Sequence, residues 1–228
     1  MKKIIINIGR QLGSGGRSIA ALLAKHYNIT AYDRKLIELA AKESGLSAEF
    51  FENADEKKSH GFFHSIFSNR SAANALTHSD SYLSNDTLFK VQSDIIRDLA
   101  ERESCIFIGR CADYILRDNP HCINLFFTAN LEDRTRRMVE EKGITAEEAA
   151  ELIEKTDRRR AAYYNYYSGK TWGAAESYDL CINTSHLGHE ATAQMLIEYI
   201  DKRVKSEKRK GKSFHPDYSL SSLLTLPS

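Results

Sequence analysis

The stretch NIGRQLGSGGRSIAALLAKHY, residues 7–27, begins in an apolar run, passes through a glycine-rich turn and continues with apolar residues at helical spacing. A strand, a glycine turn and a helix in this order suit phosphate, because glycines let main-chain N–H groups turn inward and the helix start adds partial positive charge. The common phosphate-loop pattern, G-x-x-x-x-G-K-[ST], has Gly first and Lys seventh. This chain has Gln11 and Arg17 at those positions. The sequence predicts a phosphate site here, against the alternative of a turn with no ligand.

The positions of this loop predict how ATP and Mg²⁺ would be held. In a phosphate loop the seventh residue supplies a cation to the terminal phosphates, and the eighth supplies a hydroxyl to Mg²⁺. Arg17 keeps the positive charge, though as a planar fork rather than a compact ammonium group. Ser18 keeps the hydroxyl and is the predicted metal ligand. The predicted ATP-binding residues of the loop are Gly13, Ser14, Gly15, Gly16, Arg17 and Ser18.

The composition is that of a globular protein with almost no net charge. Of 228 residues, 42% are hydrophobic and 28% are charged, and 32 basic residues nearly balance 31 acidic ones. Nucleic-acid binding through a global basic field is therefore not expected. The apolar run near the N-terminus is too short for a signal-peptide core or a membrane span, and the four cysteines form no C-x-x-C pair. We expect buried free thiols, no membrane partner and a cytoplasmic protein.

Short apolar runs alternate with helical patterns along the chain, which predicts an α/β fold with a five-stranded parallel sheet covered on both faces. Ligands of such sheets bind beyond the carboxyl ends of the strands, where the glycine loop, Asp33 and Gly109-Arg110 fall. A capping box, TAEE at residues 145–148, opens a long charged helix. Strands are predicted at residues 3–8, 29–32, 105–108, 122–127 and 180–183, and further helices at 18–27, 34–42, 86–103, 130–143 and 191–204.

Arginines cluster on two of the predicted helices. Three lie in LEDRTRRM, residues 131–138, and three more, Arg158 to Arg160, precede the tyrosine-rich stretch AAYYNYYSGKTW. A solvated helix face is the ordinary explanation of such a charge run. Arginines beside tyrosines and a glycine turn also suit a lid that closes over a nucleotide, where they spread positive charge over the group being transferred and exclude water. We favour the lid.

The same glycines allow another interpretation, an NAD(P)-binding Rossmann-type oxidoreductase. Gly13 and Gly15 belong to an incomplete dinucleotide fingerprint, and Asp33 could hold a ribose. Tyr166 and Lys170 match the Y-x-x-x-K spacing of many small dehydrogenases, but Ser168-Gly169 between them favours a turn. Asp33 can also be a helix cap and nothing more.

Six segments, in order, resemble the cytidylate kinase-like family of P-loop proteins: GRQLGSGGRSIAALLAKHY, YDRKLIELAAKESGLS, FIGR, LEDRTRRM, DRRRAAYYNYYSGKTWG and YDLCINTS. The resemblance implies a three-layer P-loop kinase fold with a five-stranded parallel sheet, a helical lobe for a nucleoside monophosphate (NMP) and an arginine-rich lid. It implies one domain over residues 1–204, with its core at 1–44, 86–145 and 172–204, the NMP lobe at about 45–85 and the lid at about 146–171. A basic and polar tail follows at 205–228.

The resemblance also implies roles for single residues. The implied catalytic residues are Arg17, Arg158, Arg160 and Asp33; Arg134 would add to the ATP site; and Asp33, Arg110 and Arg137 would bind the acceptor.

Two departures from true cytidylate kinases concern the substrates. Those enzymes have Lys where Arg17 stands, and Gly-Arg-Asp where this chain has Gly109-Arg110-Cys111. An expected acceptor for the cytosine amino group is therefore missing, although Asp113 lies close by in the sequence.

The function predicted from the sequence is ATP- and Mg²⁺-dependent phosphoryl transfer to a small acceptor, a CMP-like nucleoside monophosphate. Small-molecule nucleotides are the expected partners, and a homo-oligomer, with the tail docked on a partner subunit, stays open. The alternatives are a catalytically weak nucleotide-binding regulatory protein, suggested by Arg17 and Cys111, and the oxidoreductase described above.

Overall fold

The structure is a computed structural model that describes residues 3–34, 36–37 and 78–212, with side chains described in 3–34, 36–37 and 86–206. Most of the helix predicted at 34–42, the predicted NMP lobe up to residue 77 and the tail beyond residue 212 lie outside the described residues.

The described strands form one parallel sheet. They are β1 (Ile5–Arg10), β2 (Thr30–Tyr32), β3 (Cys105–Ile108), β4 (Cys122–Thr128) and β5 (Leu180–Asn183). Their order is β2-β3-β1-β4-β5, with β1 at the centre and Ile6 paired with Ile106 and Ile123. The predicted five-stranded parallel sheet is confirmed. One boundary matters below, because β1 continues past the predicted end at residue 8 to Arg10.

Six helices are described around this sheet: α1 (Gly16–Tyr27), α2 (His78–Arg102), α3 (Ala112–Ile115), α4 (Leu131–Lys142), α5 (Ala146–Ser168) and α6 (Gly188–Lys212). The predicted capping box at the start of α5 is present, with the Thr145 side chain and the Glu148 side chain bonded reciprocally. Two boundaries differ from the prediction. Helix α2 begins at His78, inside the segment assigned to the lobe, and α6 continues through residues 205–212 of the predicted tail, where Lys, Arg and Glu favour helix.

Helices cover both faces of the sheet, as the apolar strands predicted. Helices α1 and α6 pack on one face around Leu23, Phe127 and Leu196. Helices α2 and α3 and the end of α5 pack on the other face around Phe107 and Tyr164. A third, smaller cluster of Met138, Ala149 and Ile153 joins α4 to α5, and Leu12 packs against it.

The sheet order argues against the oxidoreductase interpretation. In the dinucleotide-binding fold the second strand lies beside the first, whereas here β3 lies between β2 and β1. The Y-x-x-x-K spacing also fails, because α5 ends at Ser168 and Gly169 closes it with φ +67°. Lys170 therefore lies beyond the helix that carries Tyr166.

The cysteines are free, and three of the four are buried: Cys105, Cys111 and Cys122. Burial raises the pKa of the Cys105 thiol to about 12 and that of Cys122 to about 11. Cys181 is exposed, so the expected burial of the free thiols does not extend to all four cysteines. Within the described ranges, none of the helices combines the length and the apolar character needed to cross a membrane.

Candidate functional site

The phosphate loop, residues 11–18, has its carbonyl groups bonded from behind. Each carbonyl from Gln11 to Gly15 accepts a hydrogen bond. In a trans peptide the C=O and the next N–H point in opposite directions, so the N–H groups of Gly13, Gly15 and Gly16 face away from these donors. The donors to the five carbonyls are, in order, Ser14 Oγ at 2.9 Å, Arg134 Nε at 2.7 Å, Arg137 Nη1 at 2.8 Å, Thr184 Oγ1 at 2.8 Å and the N–H of Ile19 at 3.0 Å.

The start of α1 adds further donors to the same loop. Gly16, Arg17 and Ser18 are its first three residues, so their N–H groups have no acceptor within the helix. Gly15 precedes them in the left-handed region with φ +79° and carries no side chain that could occupy these donors. The result is a row of N–H groups at the positive end of a helix, which suits an anion. That ATP occupies it stays a prediction.

Gln11, which stands where the usual loop pattern has Gly, anchors the start of the loop to the end of β4. Its N–H donates to Phe127 O at 3.0 Å, and its side-chain oxygen accepts from the Thr128 hydroxyl. The turn is made at Gly13 instead, which has φ +75° and whose Cβ, if it had one, would lie 2.8 Å from Arg134 O. A glycine at position 11 is therefore not needed for this turn.

Arg134 and Asp157 form a clamp on Leu12. The buried Arg134 side chain donates to Leu12 O and pairs with Asp157, whose other oxygen accepts the Leu12 N–H at 2.8 Å. Arg137 lies beside this clamp, bonded to Gly13 O and at 3.5 Å to Thr184 Oγ1. The structure thus places both arginines behind the loop. Arg137 is grouped with Arg134 rather than with Asp33 and Arg110, and substrate contacts of either one stay predictions.

Four other arginines, Arg10 and three that act on it electrostatically, lie at the carboxyl ends of β1 and β3, and we call Arg10, Arg17, Arg110 and Arg160 the arginine centre. Arg160 Nη1 donates to Arg10 O at 3.0 Å. Burial, followed by the positive charges of Arg160, Arg110 and Arg17, lowers the pKa of Arg10 to about 9. Burial is also the main reason that the pKa of Arg160 falls to about 10. Such a concentration of positive charge suits a polyanion such as a nucleotide phosphate.

Asp33 is a carboxylate at the edge of this centre. One oxygen lies 3.7 Å from Arg17 Nη2, and the other accepts the N–H of Leu36 at 3.2 Å. The predicted helix cap is therefore present, and the structure also brings Asp33 close to Arg17 of the arginine centre; that Asp33 binds the acceptor stays a prediction. Arg10 was not among the residues predicted from the sequence. The available signal was its position, as the last residue before the phosphate loop.

The two implied lid arginines point to different sides of α5. Arg160 is directed at the arginine centre. Arg158 pairs with Glu154, and its side chain is 76% exposed. Residues two apart on a helix do not share a face, so this helix cannot direct both side chains into the centre without a change in its position.

The turn after β3 positions Arg110. Gly109, Arg110 and Cys111 all have positive φ, at +79°, +61° and +57°, which is a costly backbone conformation for the two non-glycine residues. Arg110 Nη1 donates to Gln92 Oε1 at 3.4 Å, and its guanidinium lies 5.1 Å from the centre of the Tyr163 ring. Arg110 thus contacts both α2 and α5.

Of the two residues at issue for cytosine recognition, Cys111 is buried and Asp113 is half-buried. Burial raises the pKa of the Cys111 thiol to about 12, so the thiol is neutral. Asp113 accepts a hydrogen bond of 2.7 Å from the Tyr164 hydroxyl, and burial raises its pKa. Asp113 is therefore already hydrogen-bonded to a side chain of α5.

Comparisons with known proteins show what this chain is similar to as a whole. The sequence model of the cytidylate kinase-like family matches residues 5–186. A cytidylate kinase from Methanopyrus kandleri is 25% identical over 213 residues, 90% of this chain and 96% of that protein. One from Thermococcus kodakarensis is 23% identical over 207 residues, 87% and 88% of the two chains. The crystal structure of an uncharacterized protein from Eubacterium ventriosum is 30% identical, with a TM-score of 0.65 over 87% of this chain and 99% of that one.

The clamp predicts a stability change. Arg134→Met leaves the Asp157 carboxylate without its closest cation and Leu12 O without its donor. We expect the free energy of unfolding, measured by equilibrium urea denaturation, to fall by about 3 kcal/mol. The control is Arg136→Met on the same helix, where a 62% exposed side chain makes surface ion pairs, and there the change should stay within about 0.5 kcal/mol. Equal losses in the two variants would contradict the clamp.

A second prediction concerns Gly15. A Cβ at this position would overlap the imidazole of His189, whose Nε2 is buried without a partner in the described part of the chain. We expect Gly15→Ala to lower the free energy of unfolding by about 2 kcal/mol or more, and His189→Ala in the same chain to restore part of that loss. At Gly13 the obstacle is the backbone of Arg134, so Gly13→Ala should not be rescued by His189→Ala. Rescue of both variants, or of neither, would show that His189 is not the obstacle.

Proposed function

The chain belongs to the cytidylate kinase-like family, and from this membership we propose that it transfers the γ-phosphoryl group of ATP to a nucleoside monophosphate such as CMP. One observation supports the proposal above the others. The phosphate loop turns its N–H groups outward because its carbonyls are bonded from behind, and the arginine centre lies beside the helix that this loop begins.

The proposed reaction needs positioning and positive charge more than it needs a reactive side chain. An oxygen of the acceptor phosphate forms a bond to the γ-phosphorus as the bond to the bridging oxygen breaks and ADP leaves. The loop N–H groups hold the donor phosphates in place. Arg110 binds the acceptor phosphate, and Arg160 stabilises the charge on the group being transferred. Asp33, held near Arg17, orients the acceptor.

The residues present fit Mg²⁺ bound mainly through the nucleotide. Among the described residues, no group of three or more His, Cys, Asp or Glu side chains could hold a metal ion by itself. The exposed Ser18 lies in the first turn of α1, next to the row of N–H groups. One hydroxyl together with phosphates and water is a usual environment for Mg²⁺ in kinases. When bound there, the ion would supply positive charge between the donor phosphates, and Ser18 would hold it.

The acceptor site predicts weak discrimination between pyrimidines. Cys111 stands where true cytidylate kinases have Asp, and Asp113 is bonded to Tyr164, so neither position offers the cytosine amino group an uncommitted carboxylate. In a coupled assay of ADP release with Mg²⁺-ATP, we expect turnover with CMP and UMP at kcat/KM values within about tenfold of each other.

The same assay decides between the candidate functions. No ADP release with any nucleoside monophosphate would remove the proposed reaction. Saturable ATP binding without turnover would favour the nucleotide-binding regulatory protein instead. A CMP preference of about 1,000-fold or more would show that another group replaces the missing Asp.

The direction of the lid arginines gives a further expected result. Arg160→Gln should lower kcat by about 100-fold, because a charge directed at the reacting group is removed, while Arg158→Gln should lower it by less than about tenfold. Steady-state kinetics with CMP measures both, with Arg97→Gln on α2 as an exposed control. Equal losses for the two lid variants would instead place Arg158 in the site, as the family resemblance implied.

A further inference from the structure

Arg10 is a cation whose guanidinium has no hydrogen-bond or ion-pair acceptor among the described residues. It is the last residue of β1, directly before the phosphate loop. No acceptor among the described residues bonds or pairs with its guanidinium, although the side chain is largely removed from solvent. The carboxylate that favours its charged form is Asp33, which lies 3.7 Å from Arg17. A partly buried, unpaired charge costs free energy. A bound anion that is not part of the described chain would offset this cost.

Two glycines leave the space that the Arg10 side chain occupies. A Cβ at Gly16 would lie 2.9 Å from Arg10 Cβ, and a Cβ at Gly109 would overlap the Arg10 guanidinium. Gly16 is the first residue of α1, on the side of the donor phosphates, and Gly109 directly precedes Arg110, on the side of the acceptor. Arg10 therefore extends from the loop that would hold ATP to the turn that positions the acceptor arginine.

Arg17 has a different environment, although it occupies the loop position that normally supplies the cation. Its side chain is 79% exposed and its nearest carboxylate belongs to Asp33. Arg10 is less exposed, and three other guanidinium groups repel its charge. A bound phosphate would interact more strongly with Arg10 than with Arg17, because charge interactions strengthen as water is excluded.

We propose that Arg10 binds the phosphoryl group during transfer, bridging the terminal phosphate of ATP at the phosphate loop and the acceptor phosphate at Arg110, while Arg17 positions Asp33. The inference rests on the proposed function and names the residue that takes the role of the usual loop lysine. Arg10 keeps its protons throughout. It supplies charge and hydrogen bonds to the γ-phosphate oxygens while the acceptor oxygen bonds to phosphorus and ADP leaves.

The test compares Arg10→Met, Arg10→Lys and Arg17→Met with wild type, and uses Arg97→Met as the exposed-arginine control. Titration calorimetry with Mg²⁺-ATP, ADP and AMP gives the affinities, and thermal unfolding without ligand gives the Tm. We expect Arg10→Met to keep or raise the ligand-free Tm, because it removes one of four crowded cations. Its affinity for ATP should fall at least tenfold and its affinity for ADP, which lacks the γ-phosphate, less than threefold. Arg10→Lys should recover part of the ATP affinity, and Arg17→Met should lose less than Arg10→Met.

Three results would overturn the inference: a ligand-free Tm lowered by more than about 4 °C in Arg10→Met, equal losses of ATP and ADP affinity, or a larger loss of ATP affinity in Arg17→Met. The proposed function fails separately. If wild type binds ATP through Arg10 yet releases no ADP with any acceptor, the reaction is wrong and the donor contact of Arg10 stands. If Arg10→Met turns over CMP at the wild-type rate, the reaction stands and the inference falls.

Discussion

The hydrogen bonds to the carbonyls of residues 11–15 are the constraint on which the site depends. A peptide carbonyl left free in this loop could turn toward a bound phosphate and repel it. Side chains from two other regions prevent this, since Arg134 and Arg137 come from α4 and Thr184 follows β5. Once these oxygens are held, the N–H groups on the other side of the peptides have only the open side of the loop to face. The anion site is therefore a consequence of contacts made behind it.

The arginines of this chain divide by whether the protein itself supplies their partners. Arg134 has a carbonyl and a carboxylate, and Arg137 has a carbonyl and a hydroxyl. Both stabilise the loop. Arg10 and Arg160 lie close together, and burial is the first cause of their lowered pKa values. Arg160 still bonds to Arg10 O and lies 3.8 Å from Asp157, whereas Arg10 has no acceptor for its guanidinium among the described residues. Crowded cations of this kind cost stability in the free protein and become favourable when an anion binds, and among these arginines Arg10 depends most on such an anion.

The tyrosine-rich end of α5 links this helix to the body of the protein. Tyr167 stacks on Phe89 of α2 at 3.9 Å between ring centres, and Tyr164 donates to Asp113. At the other end of α5, the Ala149 and Ile153 cluster packs on α4. Arg160 lies between these two anchors, so its approach to Arg10 is set by packing at both ends of the helix. A shift of α5 would therefore be transmitted to the phosphate loop through the Asp157 clamp.

The sequence by itself determined the elements: the five strands, the capping box of α5, the glycine loop and the cap at Asp33. These follow from local periodicity and local chemistry, which neighbouring residues carry among themselves. Only the tertiary structure decided which arginines meet. Arg134 and Arg137 look like ligands for a nucleotide in the sequence, yet they are bonded to carbonyls more than a hundred residues away. Arg10 looks like the end of a strand, yet Arg110 and Arg160, from distant segments, act on its charge together with Arg17. The partner of a side chain depends on which remote segments the parallel sheet brings next to it. Local sequence patterns do not predict that placement.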